Sequence, residues 1–138
     1  MPTLEARASG RNPEVVPLSV AQAGNGASTN VADHGPSHKG GIVKITTVIG
    51  ATPTCTYALE VSSDGTNWVA ATYADISTPT VDTTATFVIT TATTVQKIVK
   101  QPAAAARWRY VRITYSANTN VTNTADFLYD DSQTPPWS

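Results

Sequence analysis

Side chains alternate strictly in character along the stretch TCTYALEVS, residues 54–62. Cys55, Tyr57, Leu59 and Val61 fall on one side of this stretch, while threonine, alanine and glutamate fall on the other. Because successive side chains of a β-strand point to opposite faces, a period of two indicates a strand that buries one face. The stretch is therefore predicted as a strand with these four side chains in the core.

Similar patterns recur along the chain, separated by short turns. Threonine and valine dominate them, and both residues favour strands because a branched Cβ packs well on a pleated surface. Further strands are predicted at residues 41–50, 66–73, 85–91, 94–100, 107–117 and 121–131. This spacing is typical of an all-β fold, an antiparallel two-sheet β-sandwich that is either jelly-roll-like or Ig-like.

The first 40 residues differ from the rest and are predicted as an extended N-terminal arm. Proline and glycine interrupt this segment, so neither a period of 2 nor one of 3.6 is sustained. It is either a disordered tail or an arm that orders against a neighbouring subunit, and its scattered apolar residues favour the arm. The candidate partner-binding residues in it are Val15, Val16, Leu18, Val20 and Val31.

The remaining chain divides into a β-sandwich domain at residues 41–131 and an extended C-terminal tail at residues 132–138. Two prolines keep the tail extended, and Trp137 follows them. Strand pairing within the tail cannot bury this indole. Trp137 is therefore predicted either to dock on the domain or to insert into a partner.

The densest basic and aromatic cluster lies at residues 107–112 and contains Trp108, Tyr110 and Arg112. Alternation places Trp108, Tyr110 and Arg112 on the face opposite Val111. Aromatic and arginine side chains serve as anchors in protein interfaces, stack on sugars or bases, or simply pack on a sheet. These three residues are kept as candidate partner-binding residues, with sheet packing as the alternative.

Few residues of this chain are suited to catalysis. The two histidines, His34 and His38, both fall in the predicted arm, so no acid, base and nucleophile set is assigned. No metal or cofactor site is expected, and Cys55 is expected to be a buried thiol. The net charge of −1 argues against nonspecific nucleic-acid binding, and no apolar stretch is long enough to span a membrane. We therefore expect a protein that is not an enzyme, without a signal peptide.

Two segments together resemble known families. LEVSSDGTNWVAA at residues 59–71 and AARWRYVRITY at residues 105–115 resemble a strand pair of discoidin-like, galactose-binding-like sandwiches. The same pairing is similar to small β-sandwich proteins of tailed-bacteriophage virions, such as capsid decoration (cement) proteins. The short turns and single cysteine of this chain depart from the discoidin-like pattern, so the phage resemblance is preferred.

The phage resemblance implies a capsid decoration protein, located in the virion, that binds the major capsid protein and neighbouring copies of itself. It also implies a homo-oligomer that assembles in the host cytoplasm. Two other functions remain open. One is a carbohydrate- or host-surface-binding module of a tail or fibre that uses Trp68 or the Trp108 and Tyr110 face; the other is a tail-tube or connector subunit.

Overall fold

The computed structural model describes residues 15–33, 40–100 and 108–129 of the chain. All the regular structure in these residues is β-strand, and no helix long and apolar enough to cross a membrane occurs among them. The strands are β1 (Val15–Ala23), β2 (Gly26–Ala27), β3 (Ala32–Asp33), β4 (Gly40–Ser62), β5 (Val69–Ala70), β6 (Tyr73–Asp75), β7 (Phe87–Ile89), β8 (Thr94–Lys100) and β9 (Tyr110–Tyr129).

One antiparallel sheet contains all of these strands. Its main order is β1-β9-β4-β8-β6, with β2 and β3 also pairing β9, and β5 and β7 also pairing β4. The prediction of an all-β antiparallel fold is therefore confirmed. The two separate sheets that were predicted are instead one sheet, hydrogen-bonded throughout by the long central strands β4 and β9.

These two central strands correct the predicted connectivity. Residues 41–50 and 54–62 were predicted as separate strands but form the single 23-residue strand β4. Residues 118–120 were predicted as a turn between two strands, yet β9 continues through them and stays paired with β4 on both sides. The backbone bends there without reversing, because Thr52, Ala117 and Asn120 adopt positive φ angles beside irregularities in the pairing.

The bends fold the sheet back on itself. Tyr57 pairs with Tyr115, and Asn123 pairs with Thr47, so the two pairs lie on opposite sides of the bend. Eight residues of straight strand would separate Tyr115 from Asn123 by about 26 Å. Nevertheless, the Tyr57 hydroxyl donates a 2.6 Å hydrogen bond to Oδ1 of Asn123. The two halves of the sheet must therefore face each other.

Aromatic rings show the same folding at the far end of β9. The ring centroids of Trp108 and Phe127 are 6.4 Å apart, although nineteen residues of straight strand would span about 60 Å. The Trp108 indole also donates a hydrogen bond to the Lys100 carbonyl at 2.9 Å. The core thus lies between the two halves and is closed by Trp108 at one end.

The faces predicted by alternation are largely confirmed. Cys55, Tyr57, Leu59 and Val61 are buried on β4, and the thiol of Cys55 is fully enclosed as expected. Val43, Ile45 and Thr47 are buried at alternate positions of β4, and Val111, Ile113 and Tyr115 are buried at alternate positions of β9. Ile49 is the exception, with 37% exposure, because it adjoins the bend where regular alternation ends.

The structure differs from the predicted domain boundary at residue 40. Within the segment predicted as an arm, β1 pairs with β9 from Val15 to Ala23, and β2 and β3 pair with the other half of β9. Leu18 and Ala32 have no exposed surface and belong to the core. Residues 15–33 are therefore part of the sheet. The rest of the predicted arm, and the predicted tail at residues 132–138, lie outside the described residues.

The buried tyrosines predict a loss of stability at alkaline pH. Burial raises the pKa of Tyr115 to about 12 from an ordinary 10.0, and burial also raises the pKa of Tyr57. Between pH 10.0 and about 12, Tyr115 loses its hydroxyl proton in the unfolded chain and keeps it in the folded chain. The free energy of unfolding therefore falls as pH rises through this range. Below pH 10.0 both states hold the proton, and stability is unaffected by these groups.

We therefore expect the free energy of unfolding to decrease steeply between about pH 10 and 12, by on the order of 2–3 kcal/mol for Tyr115 alone. Urea unfolding at a series of pH values, with tyrosinate absorbance recorded in parallel, measures both quantities. Full ionisation of all tyrosines near pH 10 in a protein that remains folded would contradict this burial.

Candidate protein-binding surface

The edge strand β1 is the most irregular element of the sheet. Its pairing with β9 shifts twice, between Asn123 and Ala125 and again between Ala125 and Asp126. These bulges turn both Leu18 and Ser19 inward, and neither has exposed surface. Pro17 sits at the second irregularity, where the lack of an amide hydrogen is tolerated on an edge strand.

Apolar side chains project outward along the same edge. Val20 is 72% exposed and Val15 is 52% exposed, although both belong to β1. Val31, between β2 and β3, is 43% exposed. We call Val15, Val20 and Val31 the β1 edge surface. Exposed valines on and beside an irregular edge strand are suited to contact with another protein surface.

A network of hydrogen bonds ties this edge to residues 28–30. The Asn30 amide donates to the Leu18 carbonyl at 2.9 Å, and its side-chain amide donates to the Pro17 carbonyl at 3.1 Å. Oε1 of Gln22 accepts from the Ser19 hydroxyl at 2.6 Å and from the Thr29 amide at 3.1 Å. Val31, which follows Asn30, is therefore held close to β1. The β1 edge surface is a preformed feature of the fold.

Other residues predicted to bind a partner occupy the chain's own core. Leu18 is fully buried and Trp108 is only 7% exposed, while Val16 is half-buried against the core. Alternation placed Trp108 on the opposite face from Val111, and this is wrong because Trp108 precedes the first residue of β9. Trp108 therefore lies outside the regular alternation of the strand, and its indole packs into the core. Trp137 lies outside the described residues.

Arg112 and Trp68 meet on the outer face of the half of the sheet in which residues 110–116 of β9 pair with residues 56–62 of β4. The Arg112 guanidinium lies 4.3 Å from the centroid of the Trp68 ring, and its Nε donates to Oε1 of Glu60 at 2.8 Å. The same carboxylate oxygen accepts from the Thr114 hydroxyl at 2.8 Å. One face of the Trp68 ring is thus covered by a cation that is itself paired. This geometry is typical of sheet packing.

Tyr110 lies beside this cluster and is half-buried. The guanidinium of Arg109 lies 5.4 Å from its ring centroid, and Arg109 also forms two hydrogen bonds with Asp33, at 2.8 and 2.9 Å. A Cβ on Gly65 would sit 3.6 Å from the Tyr110 ring, so the turn after β4 packs against this tyrosine. Tyr110 is thus placed between an ion pair and a turn.

The turn at residues 62–67 is closed by Asp64. Oδ1 of Asp64 accepts from the amides of Thr66 and Asn67, each at 2.8 Å, and Oδ2 accepts from the Asn67 side chain. These backbone hydrogen bonds lower the pKa of Asp64 below its usual value. The carboxylate is therefore used to shape the turn. Among the described residues, no group of three or more His, Cys, Asp or Glu side chains could hold a metal ion.

A charged pair between the two layers was missed by sequence reasoning. Nζ of Lys97 lies 3.1 Å from Oδ2 of Asp75 and 4.7 Å from the centroid of the Phe87 ring, and the lysine side chain is only 12% exposed. The hydrogen bond from Lys97 lowers the pKa of Asp75. Alternation in TVQKIVK places Lys97 on the same face as Val95 and Val99, so the sequence did indicate that this lysine is on the core side of the strand. The Lys97 ammonium is thus held between a carboxylate and an aromatic ring.

Comparison with protein-family models and with curated proteins finds no match for this chain. Among solved structures, the fold is similar to that of the SPBc2 prophage-derived protein YomS, with a TM-score of 0.57. The alignment covers 86% of this chain and 94% of that protein, at 6% sequence identity. At this identity the likeness concerns the fold. The chain therefore shares its architecture with a protein derived from a prophage.

Proposed function

We propose that this protein is a non-enzymatic structural protein of a phage virion, and specifically a capsid decoration protein that binds the major capsid protein lattice. The observation that carries the proposal is the β1 edge surface, where Val15, Val20 and Val31 are exposed at a hydrogen-bonded edge of the sheet. The similarity in fold to a prophage-derived protein supports a phage origin.

Binding at this edge would use side chains more than backbone pairing. A partner strand that extended the sheet beyond β1 would meet Pro17, which offers no amide hydrogen, and two bulges. Burial of a fully exposed valine contributes about 1.5–3 kcal/mol before the costs of association are included. A few valines per copy therefore support modest affinity. Many copies on one shell, in contact with neighbouring copies of this chain, would then stabilise the lattice together.

Binding of a carbohydrate or host surface in a tail or fibre is the second candidate. Trp68 was its proposed platform, but the Arg112 guanidinium already covers one face of that ring. The other face of Trp68, which is half-buried, and the half-buried Tyr110 remain the residues on which such a module would depend. A tail-tube or connector subunit is a third candidate and would use the same edge surface for assembly.

Val20→Asp tests the first candidate on capsids assembled from the cognate major capsid protein. A carboxylate in the β1 edge surface, at its most exposed valine, should reduce the fraction of protein retained on sedimented capsids at least about tenfold, because burial of an unpaired charge is unfavourable. Val88→Asp is the matched control, since Val88 is 56% exposed on β7, on the other half of the sheet.

Equal retention of both variants would refute the β1 edge surface as the capsid contact. Binding of the unmodified protein to purified tails and not to capsids would instead favour the tail or connector function. Specific binding to a glycan array that is lost in Trp68→Ala, with the fold intact, would favour the carbohydrate-binding function.

A further inference from the structure

The turn between β1 and β2 contains an asparagine that is followed by glycine. Asn25 lies between Gly24 and Gly26, whose φ angles are 97° and 113°, and all three residues are exposed. A Cβ built on either glycine would meet nothing within 4 Å, so both glycines border open space. Asn25 is also the only asparagine of the sequence that glycine follows. The turn therefore differs chemically from every other asparagine position in the chain.

Asparagine is a thermolabile residue because its side chain can react with the backbone that follows it. Once the amide nitrogen of Gly26 loses its proton to water or hydroxide, this nitrogen attacks Cγ of Asn25 and closes a five-membered succinimide ring. The bond from Cγ to Nδ2 breaks, and Nδ2 leaves as ammonia. Water then adds to either ring carbonyl and yields aspartate or isoaspartate. Glycine permits this attack most readily, because no Cβ obstructs its nitrogen.

The fold places a hydrogen-bond donor on the carbonyl that would react. The backbone amide of Asn118, on β9, donates to Oδ1 of Asn25 at 2.9 Å. A donor at this oxygen stabilises the negative charge that Oδ1 acquires when the ring forms, as donors do in oxyanion holes. The Asn118 side chain also donates to the Gly24 carbonyl at 3.1 Å. The reacting carbonyl is therefore polarised by β9, and the turn is held against that strand.

The pairing of Gly26 leaves its nitrogen accessible through local opening. Gly26 pairs with Tyr115, but β2 has only two residues and pairs with β9 alone. Short edge segments open at a small fraction of the free energy of global unfolding. The Gly26 nitrogen is therefore released from time to time while the core stays folded.

The turn after β4 contains a similar pair of residues that the fold protects. Asp64 precedes Gly65, but backbone hydrogen bonds, first among them that from the Asn67 amide, lower the pKa of Asp64. Its side chain is therefore an ionised carboxylate at neutral pH, and negative charge repels a nucleophile. The amide of Gly65 also donates to the Ser62 hydroxyl at 2.9 Å. This comparison distinguishes Asn25, whose side chain is a neutral amide.

From these observations we infer that Asn25 is a site of spontaneous deamidation in the folded protein. Conversion adds one negative charge to a chain whose formal net charge is −1. The isoaspartate product also lengthens the backbone between β1 and β2 by one methylene group, which disturbs the pairing of Gly26 with Tyr115. This inference does not depend on the proposed capsid function.

Mass spectrometry of folded protein incubated at mildly alkaline pH tests this inference. Trypsin releases residues 12–39 as one peptide, which contains Asn25 and also Asn30, an exposed asparagine followed by Val31. We expect fragmentation to assign the mass increase that accompanies replacement of NH₂ by OH to Asn25. Conversion at Asn25 should exceed that at Asn30 at least about tenfold, because the branched Cβ of Val31 crowds its own amide nitrogen.

Asn25→Gln is the matched variant, because it keeps the side-chain amide but would need a six-membered ring to react. On ion-exchange chromatography it should remain free of the acidic species that accumulates in the unmodified protein. No conversion at Asn25, or equal conversion of Asn25 and Asn30, would overturn the inference. An acidic species that forms equally in Asn25→Gln would do the same. Conversion of Asn25 in urea but not in the folded protein would show that the pairing of Gly26 protects the site, which also overturns the inference.

Discussion

Replacing Phe127 with alanine should lower the free energy of unfolding by about 3–5 kcal/mol, as expected for a fully buried phenylalanine. Phe127 has no exposed surface, and its ring lies 6.4 Å from Trp108 and 5.2 Å from Tyr129, in edge-to-face arrangements. The cavity would therefore open between the two halves of the sheet. Urea unfolding followed by circular dichroism measures the change.

Val48→Ala is the matched control for Phe127→Ala, since it also removes apolar atoms from a central strand. Val48 is 68% exposed, so this change should cost less than about 0.5 kcal/mol. A loss below about 1 kcal/mol for Phe127→Ala would contradict the placement of this ring between facing layers. The emission of Trp108 should also shift to longer wavelength in Phe127→Ala, because the ring that packs against the indole is removed.

Asn123→Ala should cost about 2–4 kcal/mol, the second-largest effect expected for this chain. Asn123 is fully buried, and its Oδ1 accepts the Tyr57 hydroxyl at 2.6 Å across the fold of the sheet. Its Nδ2 also lies 3.8 Å from Sγ of Cys55. The substitution leaves the Tyr57 hydroxyl buried without this acceptor, and an orphaned buried donor alone costs about 1–3 kcal/mol.

A double-mutant cycle separates the hydrogen bond from the loss of volume. Tyr57→Phe alone should destabilise by about 1–3 kcal/mol because it orphans the Asn123 carbonyl oxygen. The double variant Tyr57→Phe/Asn123→Ala should lose less free energy of unfolding than the sum of the losses in the two single variants, because neither polar partner remains unpaired. Strict additivity would show that the two residues are not coupled. Thr122→Ala, on the outward face of β9, is the control and should change stability by less than about 1 kcal/mol.

The strand content and the core faces of this chain could be predicted from local pattern. Alternation identified Tyr57 and Leu59 on β4 as core residues and placed Ile113 and Tyr115 of β9 on one shared face, and all four are buried. It also identified β8 with the bounds that the structure has, Thr94–Lys100. These predictions succeed because the period of two is a property of single strands and does not depend on their partners.

The candidate surface was predicted less well. Exposed Val15, Val20 and Val31 were named from the sequence together with Leu18 and Trp108, which the fold buries. Leu18 turns inward because β1 carries bulges, and bulges arise from the pairing with β9. Trp108 is buried because the two ends of β9 meet. Neither cause is visible in a local stretch of sequence.

Strands rich in threonine and valine, and the apolar positions within each strand, follow from the amino-acid sequence. That residues 40–62 and 110–129 form two continuous bent strands is seen only in the folded chain. The folded chain also shows that residues 15–33 complete their sheet and that Tyr57 meets Asn123. The physical reason is that strand pattern is encoded locally. Pairing and bending depend instead on positive-φ residues such as Thr52 and Ala117, and on partners distant in the sequence.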